Sequence, residues 1–398
     1  PVRVRVDQPP ARRVVARVAA VPGYGWKTWA PAPPGVAPVR AEGATVLDSG
    51  LVRVEVDPAT GTFSVGGLAG FDRLVDGGDH GDTYNWSPPD HDTVVDHPEE
   101  VAVDVLEAGP WRARLRARRT FAWPEHIDDT SRSRVGRHQV EVATTIELHA
   151  GERLVRVHTT FDNTCRDHRL RAHLPLPAPA ASSRAECAFA IVERGLEAEG
   201  GPTEAPLPTF PSRRFVQAGG LTVVHEGLLE YELVDIRDGH AHELALTLLR
   251  ATGMLSRVEM TTRPLPAGPP DRIEGPQLQG RVEARYAVHA GDADPYALVD
   301  DAFLPLLVVD AAGGSLPPEG SALSVEGAEV SALRGDGAGR LELRVFNPTP
   351  APTTVRIAGR SGWLVDLRGR PLTPFDGAFD LGPWAIATAL LSAPATLE

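Results

Sequence analysis

The chain has 398 residues, of which 42% are hydrophobic and 23% are charged, a composition typical of a folded globular protein rather than a disordered one. Its length exceeds what one ordinary hydrophobic core uses and predicts two or three domains. The formal net charge of −13 argues against nucleic acid or an anionic membrane as a partner, because both need a basic surface.

The chain carries no visible signal for membrane insertion or secretion. No stretch approaches the roughly 18 apolar residues of a spanning helix, and no charged-then-apolar signal peptide opens the sequence. Its two cysteines, Cys165 and Cys187, have no paired spacing, which excludes a disulfide framework, leaves one structural bridge open and favours a reduced, cytoplasmic setting. The absence of an initiator Met favours a truncated or processed fragment.

Taken in chain order, the predicted elements are almost all β-strands. A short leading strand is predicted around residues 11–21, and a Pro- and Gly-rich linker follows at 30–43. Alternation of apolar and polar residues, the period of a half-buried antiparallel strand, recurs in six later segments, namely 51–57, 140–150, 153–163, 221–235, 341–347 and 353–359. Residues 242–254 fit a helix or a buried strand, and we favour the strand.

These elements predict an all-β fold. Composition divides the chain into a leading segment and linker at 1–43, a large antiparallel β-sandwich at 44–309 and a smaller C-terminal β-sandwich at 310–398. The last boundary rests on the break "DAAGGSLPPEG" at 310–320. Because no repeat of fixed period is visible, propellers and solenoids are disfavoured.

The stretch richest in chemical groups is "GDHGDTYNWSPPDHD" at residues 78–92. The Asp and His side chains in this stretch and just beyond it are Asp79, His80, Asp82, Asp90, His91, Asp92, Asp96 and His97. They could bind a divalent metal ion, supply a carboxylate pair for glycoside hydrolysis, or form a solvated acidic turn. The residues alone leave these three interpretations open.

Aromatic residues inside this stretch favour a loop that lines a ligand site. Tyr84 and Trp86 are flat, amphipathic rings of the kind that contact sugars, and Asp82 and Asn85 add hydrogen-bonding groups beside them. The common hydrolase, zinc-protease and nucleotide-binding motifs are absent from the sequence. A thiol nucleophile at Cys165 is disfavoured, because a neighbouring His in sequence does not guarantee a catalytic geometry.

Seven motifs, in order, resemble the C-terminal β-rich half of the bacterial α-mannosidases of glycoside hydrolase family 38. They are "GLVRVEVDPATGTFSV" at 50–65, "GDTYNWSPP" at 81–89, "FDNTCRDHRLRAHLPLP" at 161–177, "GLLEYELVD" at 227–235, "LALTLLRATGMLSR" at 244–257, "AGPPDRIEGPQLQG" at 267–280 and "LGPWAIATALLS" at 381–392. The similarity spans most of the chain.

The resemblance implies that this chain lacks the groups that do the chemistry. In this family, the nucleophilic aspartate and the zinc ligands lie on an N-terminal α/β barrel and the helical bundle after it, and no segment here resembles either. Two His-x-Asp strings, at 80–82 and 126–128, lack the Trp of the family's zinc motif, and we interpret them as coincidental. The chain therefore has no catalytic or metal-binding residues by this comparison, and we expect it to be inactive alone.

The resemblance also implies site residues. A loop of the family's large β domain reaches the catalytic face, where its tyrosine contacts the sugar, and Tyr84 matches that position. Asp82 and Asn85 are carried over as its neighbours. Weaker candidates are His80 and Trp86 on the same loop and Arg169. We expect Asp167, His168 and Arg169 to form a buried charge network at a strand end.

For the parent enzyme, the resemblance implies zinc-dependent, retaining hydrolysis of α-mannosides. The implied partners are the N-terminal catalytic domain of the same protein and the α-mannoside, and a homo-oligomer is allowed. Two other hypotheses stay open: a stand-alone carbohydrate-binding β-sandwich that uses the Tyr84 and Trp86 loop, and a structural or oligomerisation module.

Overall fold

The structure is a computed structural model and describes residues 14–30, 35–309, 313–335 and 340–392. In these ranges the strands are β1 Gly25–Lys27, β2 Arg40–Glu42, β3 Val46–Asp48, β4 Arg53–Val56, β5 Phe63–Val65, β6 Leu68–Phe71, β7 Arg73–Gly78, β8 Glu100–Ala108, β9 Arg112–Trp123, β10 His126–Asp128, β11 Ser133–Val135, β12 His138–His149, β13 Val155–Asn163, β14 His168–Ala180, β15 Ser182–Cys187, β16 Ala190–Gly195, β17 Thr209–Pro211, β18 Phe215–Ala218, β19 Leu221–Glu226, β20 Glu230–Arg237, β21 His240–Ala251, β22 Gly280–Ala290, β23 Glu319–Ser321, β24 Val325–Glu326, β25 Glu329–Gly335, β26 Leu341–Phe346, β27 Thr353–Val365, β28 Pro371–Leu381 and β29 Ile386–Leu391. The helices are α1, Pro295–Phe303, and a 3₁₀ turn, Gly275–Gln277.

Two large antiparallel sheets contribute to one core. The first has the order β16-β15-β18-β19-β22-β13-β12-β9-β8, and the second has the order β17-β20-β21-β14-β7. Their inward side chains, such as Leu115 and Ile146 from the first sheet and Leu170 and Leu244 from the second, belong to a single buried cluster. A third sheet, β2-β3-β4-β5-β6, adds residues such as Phe63 to the same cluster.

Strand β9 shows how alternation sets the burial of the first sheet. From Arg112 to Trp123 its side chains alternate without a break between partly exposed and buried, as a period of two requires. One inward position holds Arg119, which is 1% exposed. Its guanidinium donates to the Asp72 carboxylate at 2.6 Å, and the Tyr286 hydroxyl donates to the same carboxylate at 2.6 Å. This pairing offsets the cost of burying the charge between the sheets.

The C-terminal part has its own core. Strand β27 pairs with β28 along most of its length, with β24 near its start and with β29 near its end, and the sheet encloses a cluster that includes Leu343, Ile357 and Phe375. Strand β1, near the start of the described chain, pairs with β23.

Helix α1 packs between the large sheets and the C-terminal part. Its Tyr296 contacts Phe215 and Phe346 in edge-on ring pairs. Beside this junction lies Glu329 of β25, whose pKa burial raises to about 7, with the nearby carboxylates of Asp294 and Asp300 acting in the same direction.

The predicted all-β fold is confirmed, and five of the six alternating segments each contain one strand. Segment 221–235 instead contains two strands, β19 and β20, separated at Gly227, whose φ angle is +74°. The predicted strand at 242–254 is confirmed over residues 242–251, where β21 ends. The leading strand at 11–21 is wrong over its described part, since residues 14–21 form no strand, and residues 11–13 lie outside the described residues. Alternating residues form a strand only where another strand lies alongside to share backbone hydrogen bonds, and residues 14–21 have no such partner strand in the described structure. Val14 is 68% exposed. Strand β2 lies entirely inside the predicted linker at 30–43, and helix α1 was not predicted. The domain boundaries stay predictions.

Candidate functional site

Asp82 is the internal anchor of the loop that follows β7. It is fully buried, and its Oδ1 accepts from the backbone N–H groups of Tyr84 at 2.9 Å and Asn85 at 3.0 Å. Its Oδ2 accepts from the backbone N–H of Arg257 at 2.8 Å and from the guanidinium of Arg263. Burial alone would raise the pKa of Asp82, but these backbone donors and Arg263 outweigh it and lower the pKa.

Asp79 anchors the start of the same loop. It is also fully buried, and its carboxylate accepts from Arg250 Nε at 2.6 Å and from the N–H of Gly81 at 2.9 Å. Burial raises the pKa of Asp79, and the Arg250 guanidinium opposes that shift. Arg250 also donates to the backbone carbonyls of Asp82 and Asn85, each at 2.5 Å. One guanidinium of β21 therefore holds both ends of the turn.

The turn leaves no room for a side chain at Gly81. A Cβ at this position would lie 2.1 Å from the carbonyl oxygen of Asn85 and 2.8 Å from the backbone nitrogen of Ser87. Both atoms belong to the backbone, so they cannot move aside as a flexible side chain could. The close approach explains why the loop has glycine here.

His80 is a neutral, buried part of this arrangement. It is 3% exposed, and burial, with the positive charge of Arg257, lowers its pKa to about 4. Its Nε2 therefore accepts from Arg257 Nη1, at 3.0 Å. The same Arg257 nitrogen donates to Asp129 Oδ1 at 2.9 Å, and Asp129 also accepts from Arg272. This chain of contacts ties the loop to the turn between β10 and β11.

Tyr84 and Asn85 differ from their neighbours because no hydrogen bond within the described residues holds the polar groups of their side chains. The Tyr84 side chain is 55% exposed, and within the described part of the chain neither its hydroxyl nor the Asn85 carboxamide has a hydrogen-bond partner. Their backbone N–H groups are both fixed by Asp82, so the two side chains project from a defined turn. A phenol hydroxyl and a carboxamide can each donate to and accept from sugar hydroxyl groups.

Trp86 and Arg169 stack on each other beside the loop. The Arg169 guanidinium lies 3.9 Å from the centre of the Trp86 ring, and Trp86 Nε1 donates to the carbonyl of Gly78 at 3.0 Å. Arg169 is 3% exposed and donates to Glu230 at 3.3 Å. In this structure both residues are engaged with the protein.

The predicted buried charge network at the start of β14 is confirmed for His168 and Arg169, whereas Asp167 is only partly buried and bonds to a neutral amide. His168 is fully buried and contacts Asp76 Oδ1 at 2.5 Å through Nδ1 and Asn163 Oδ1 at 3.0 Å through Nε2. Asp167 accepts from the side chain of Gln277 at 2.7 Å. Together with the Arg169–Glu230 pair, these contacts fix the strand end beneath the loop.

The remaining acidic residues of the stretch have structural contacts of their own. Asp92 accepts from the backbone N–H of Gly78 at 3.0 Å, Asp96 accepts from Arg73 at 3.1 Å, and Asp90 lies 3.7 Å from Arg132. Residues 78–82, 87 and 89 are buried, whereas residues 90–94 and 97 are exposed, so the solvated acidic turn describes only the later part of this region.

Neither a metal ion nor an acid/base pair fits this loop. Among the residues that the structure describes, no group of three or more His, Cys, Asp or Glu side chains is arranged to hold a metal ion. His80 Nε2, Asp79 and Asp82 are all engaged by arginines, so the donor set does not fit zinc. The two buried carboxylates also differ from a hydrolytic pair, one member of which must reach a water or a sugar.

The arginines that hold the loop were not singled out from the sequence. Arg250, Arg257 and Arg263 lie at the end of β21 and in the long segment after it, about 170–180 positions beyond their carboxylate partners. The one feature of the sequence that could have indicated them is charge, because several arginines in one later segment complement the acidic residues of the loop.

The fold and the loop define an all-β sandwich protein in which a largely buried turn carries an exposed tyrosine. Residues 47–254, just over half of the chain, match the family described as the glycosyl hydrolases family 38 C-terminal domain. The chain belongs to this family.

Relatives agree with this assignment. A putative mannosylglycerate hydrolase from Halalkalibacterium halodurans is 30% identical over 229 residues, which make up 53% of this chain and 23% of the relative. The chain thus spans about a quarter of that curated relative.

Two solved structures share the fold. An α-mannosidase from Enterococcus faecalis V583 superposes with a TM-score of 0.72 at 20% identity, covering 89% of this chain and 43% of that one. A glycosyl hydrolase family 38 protein from Enterococcus faecalis gives a TM-score of 0.71 at 20% identity, covering 89% and 44%. At this identity the likeness establishes the fold alone.

No helix in the described ranges is both long and apolar enough to cross a membrane.

Proposed function

We propose that this chain is the C-terminal β region of a hydrolase acting on α-mannosides, in which Tyr84 and Asn85 contact the sugar. The observation that carries the proposal is the contrast within one loop: its carboxylates are buried and paired, while the hydroxyl of Tyr84 and the carboxamide of Asn85 have no hydrogen-bond partner among the residues that the structure describes. The names of the relatives, which refer to mannosylglycerate and α-mannoside hydrolysis, support the substrate class.

In this proposal the bond-breaking groups belong to an N-terminal catalytic domain of the same polypeptide, which is the main partner of this chain. The parent enzyme works in the cytoplasm by a retaining mechanism, with a nucleophilic aspartate and a second carboxylate as acid. Zinc, if the catalytic domain binds it, would orient the sugar hydroxyl groups there.

The contribution of this chain is positioning. Asp82 and Arg250 hold the turn, and Tyr84 and Asn85 donate hydrogen bonds to sugar hydroxyl groups from fixed positions. Fixing the orientation of a sugar relative to the reacting groups lowers the entropic part of the barrier. Asp82 acts through the backbone of the loop, since both of its oxygen atoms are already occupied by protein donors.

The test is Tyr84→Phe in a polypeptide that contains the catalytic domain together with this chain. Loss of one hydrogen bond to the substrate should lower kcat/KM on an aryl α-mannoside about tenfold without a change in Tm. Tyr24→Phe is the matched control, because Tyr24 is also exposed, at 47%, and lies outside the loop. An unchanged kcat/KM in Tyr84→Phe would remove this hydroxyl from the proposal.

A stand-alone carbohydrate-binding module is the second candidate, and the exposure of Tyr84 favours it over a purely structural role. It requires saturable binding of mannose or a mannobiose to this chain alone, abolished by Tyr84→Ala. We expect no such binding, because the proposed site needs the catalytic domain. A structural or oligomerisation module instead requires a defined oligomer of the isolated chain by light scattering.

A further inference from the structure

We propose that Gly268 is a positioning residue that sets the place of the Tyr84 hydroxyl by having no side chain. The proposal rests on the proposed function of Tyr84. Gly268 lies in the long segment between β21 and the 3₁₀ turn, the segment that also carries Arg257 and Arg263.

The contact is with the functional end of the tyrosine. A Cβ built on Gly268 would lie 3.0 Å from the Tyr84 hydroxyl oxygen and 3.6 Å from both Cε2 and Cζ. A separation of 3.0 Å is tighter than an ordinary van der Waals contact, so an added methyl group would displace the hydroxyl or the segment. The phenol ring also lies 5.9 Å from the Arg263 guanidinium. Gly268 and Arg263 together limit the positions that the Tyr84 ring can take.

Space, not backbone conformation, sets the requirement for glycine. The φ angle of Gly268 lies outside the left-handed region, so alanine could adopt the same backbone conformation. The effect of a side chain at this position is therefore steric and local.

The segment around Gly268 is held, so the tyrosine is the group expected to move. The backbone N–H of Ala267 donates to Ser256 Oγ at 2.9 Å, and Ser256 is fully buried. Arg263 Nη1 donates to the carbonyl of Leu265 at 2.8 Å while its Nη2 pairs with Asp82. Tyr84, in contrast, is 55% exposed and has no partner at its hydroxyl within the described residues.

Moving the hydroxyl by a few tenths of an ångström would disturb the hydrogen bond that it makes to the sugar, since such bonds depend on both distance and angle. Misplaced positioning groups lower the rate of the chemical step more than they disturb the fold. We therefore expect the effect of a side chain at residue 268 to depend on the Tyr84 hydroxyl.

The experiment is a double-mutant cycle in a polypeptide that contains the catalytic domain. Gly268→Ala should lower kcat/KM on an aryl α-mannoside about threefold to tenfold, mainly through kcat, with Tm unchanged. In the Tyr84→Phe background, Gly268→Ala should cause no further loss. Gly275→Ala is the matched control: Gly275 begins the 3₁₀ turn that follows this segment, its φ angle also lies outside the left-handed region, and no atom lies within 4 Å of its built Cβ.

The outcomes separate this inference from the proposed function. A loss in Tyr84→Phe with none in Gly268→Ala would overturn the role of Gly268 and leave that of Tyr84 intact. An equal loss from Gly268→Ala in both backgrounds at unchanged Tm would show that residue 268 does not act through the hydroxyl, and a lowered Tm would contradict the expected local effect. No loss in Tyr84→Phe would overturn both ideas.

Discussion

Replacing Asp82 with Asn tests whether a buried carboxylate holds the tyrosine loop. The substitution keeps the size of the side chain and removes its charge. The amide oxygen can still accept from the N–H groups of Tyr84 and Asn85, but the amide NH₂ then faces the N–H of Arg257 and the guanidinium of Arg263, which are donors themselves.

The magnitude follows from burial. Asp82 is 0% exposed and the Arg263 side chain is 7% exposed, so the substitution leaves a buried cation without its counter-charge. Breaking a buried pair from one side costs about 3–5 kcal/mol. Asp90→Asn is the matched control. Its carboxylate is 45% exposed and 3.7 Å from Arg132, and an exposed pair of this kind contributes less than about 1 kcal/mol.

Hydrogen exchange at the Tyr84 and Asn85 amides is the most direct assay, because both donate to the substituted side chain. A local cost of about 3 kcal/mol corresponds to exchange at least about 100-fold faster. Asp90→Asn should leave these two amides unchanged. Similar exchange in the two variants would refute the account of Asp82 as the anchor of the loop.

Three further predictions concern steric fit, pH and thiol reactivity. Gly81→Ala should destabilise the loop by more than about 1 kcal/mol in hydrogen exchange, because its Cβ meets the carbonyl oxygen of Asn85 at 2.1 Å, and normal protection would contradict this. Burial raises the pKa of Glu329 to about 7 in the folded state, above its unfolded value, so its contribution to stability is lost as pH rises through 7. Glu329→Gln should therefore stabilise the protein more at pH 8.5 than at pH 5.5, by about 1 kcal/mol after solvent screening, and a pH-independent difference in urea unfolding would count against it. Cys165 is buried, with its pKa raised to about 11 by burial, so a thiol reagent should label the partly exposed Cys187 first, and equal labelling rates would be inconsistent with this burial.

The strands that were predicted followed from alternation, which indicates directly which side chains face the core, although β9, which alternates without a break, was not singled out. Segments 51–57, 140–150 and 153–163 each became a strand with the expected side buried. Helix α1 was missed although its start carries ordinary signals, namely Asp294, whose side chain accepts from the N–H of Tyr296, and Pro295 in the first turn.

The candidate site was predictable only in part. The loop and its aromatic residues were recognised from residue type, and the role of Tyr84 came from motif resemblance, whereas the buried partners of Asp79 and Asp82 lie about 170–180 positions away in the sequence. No local pattern specifies such long-range pairs, because the packing of β21 and the following segment against β7 and its loop creates them. The same holds for Gly268, whose contact with Tyr84 is visible only in three dimensions.

Activity on an aryl α-mannoside, measured for this chain alone and for a polypeptide that joins it to its catalytic domain, tests the central claim most directly. We expect hydrolysis by the joined polypeptide, none by this chain alone, and a loss of about tenfold in kcat/KM when Tyr84→Phe is introduced into the joined form. Hydrolysis by this chain alone, or full activity of the joined form with Tyr84→Phe, would contradict the account.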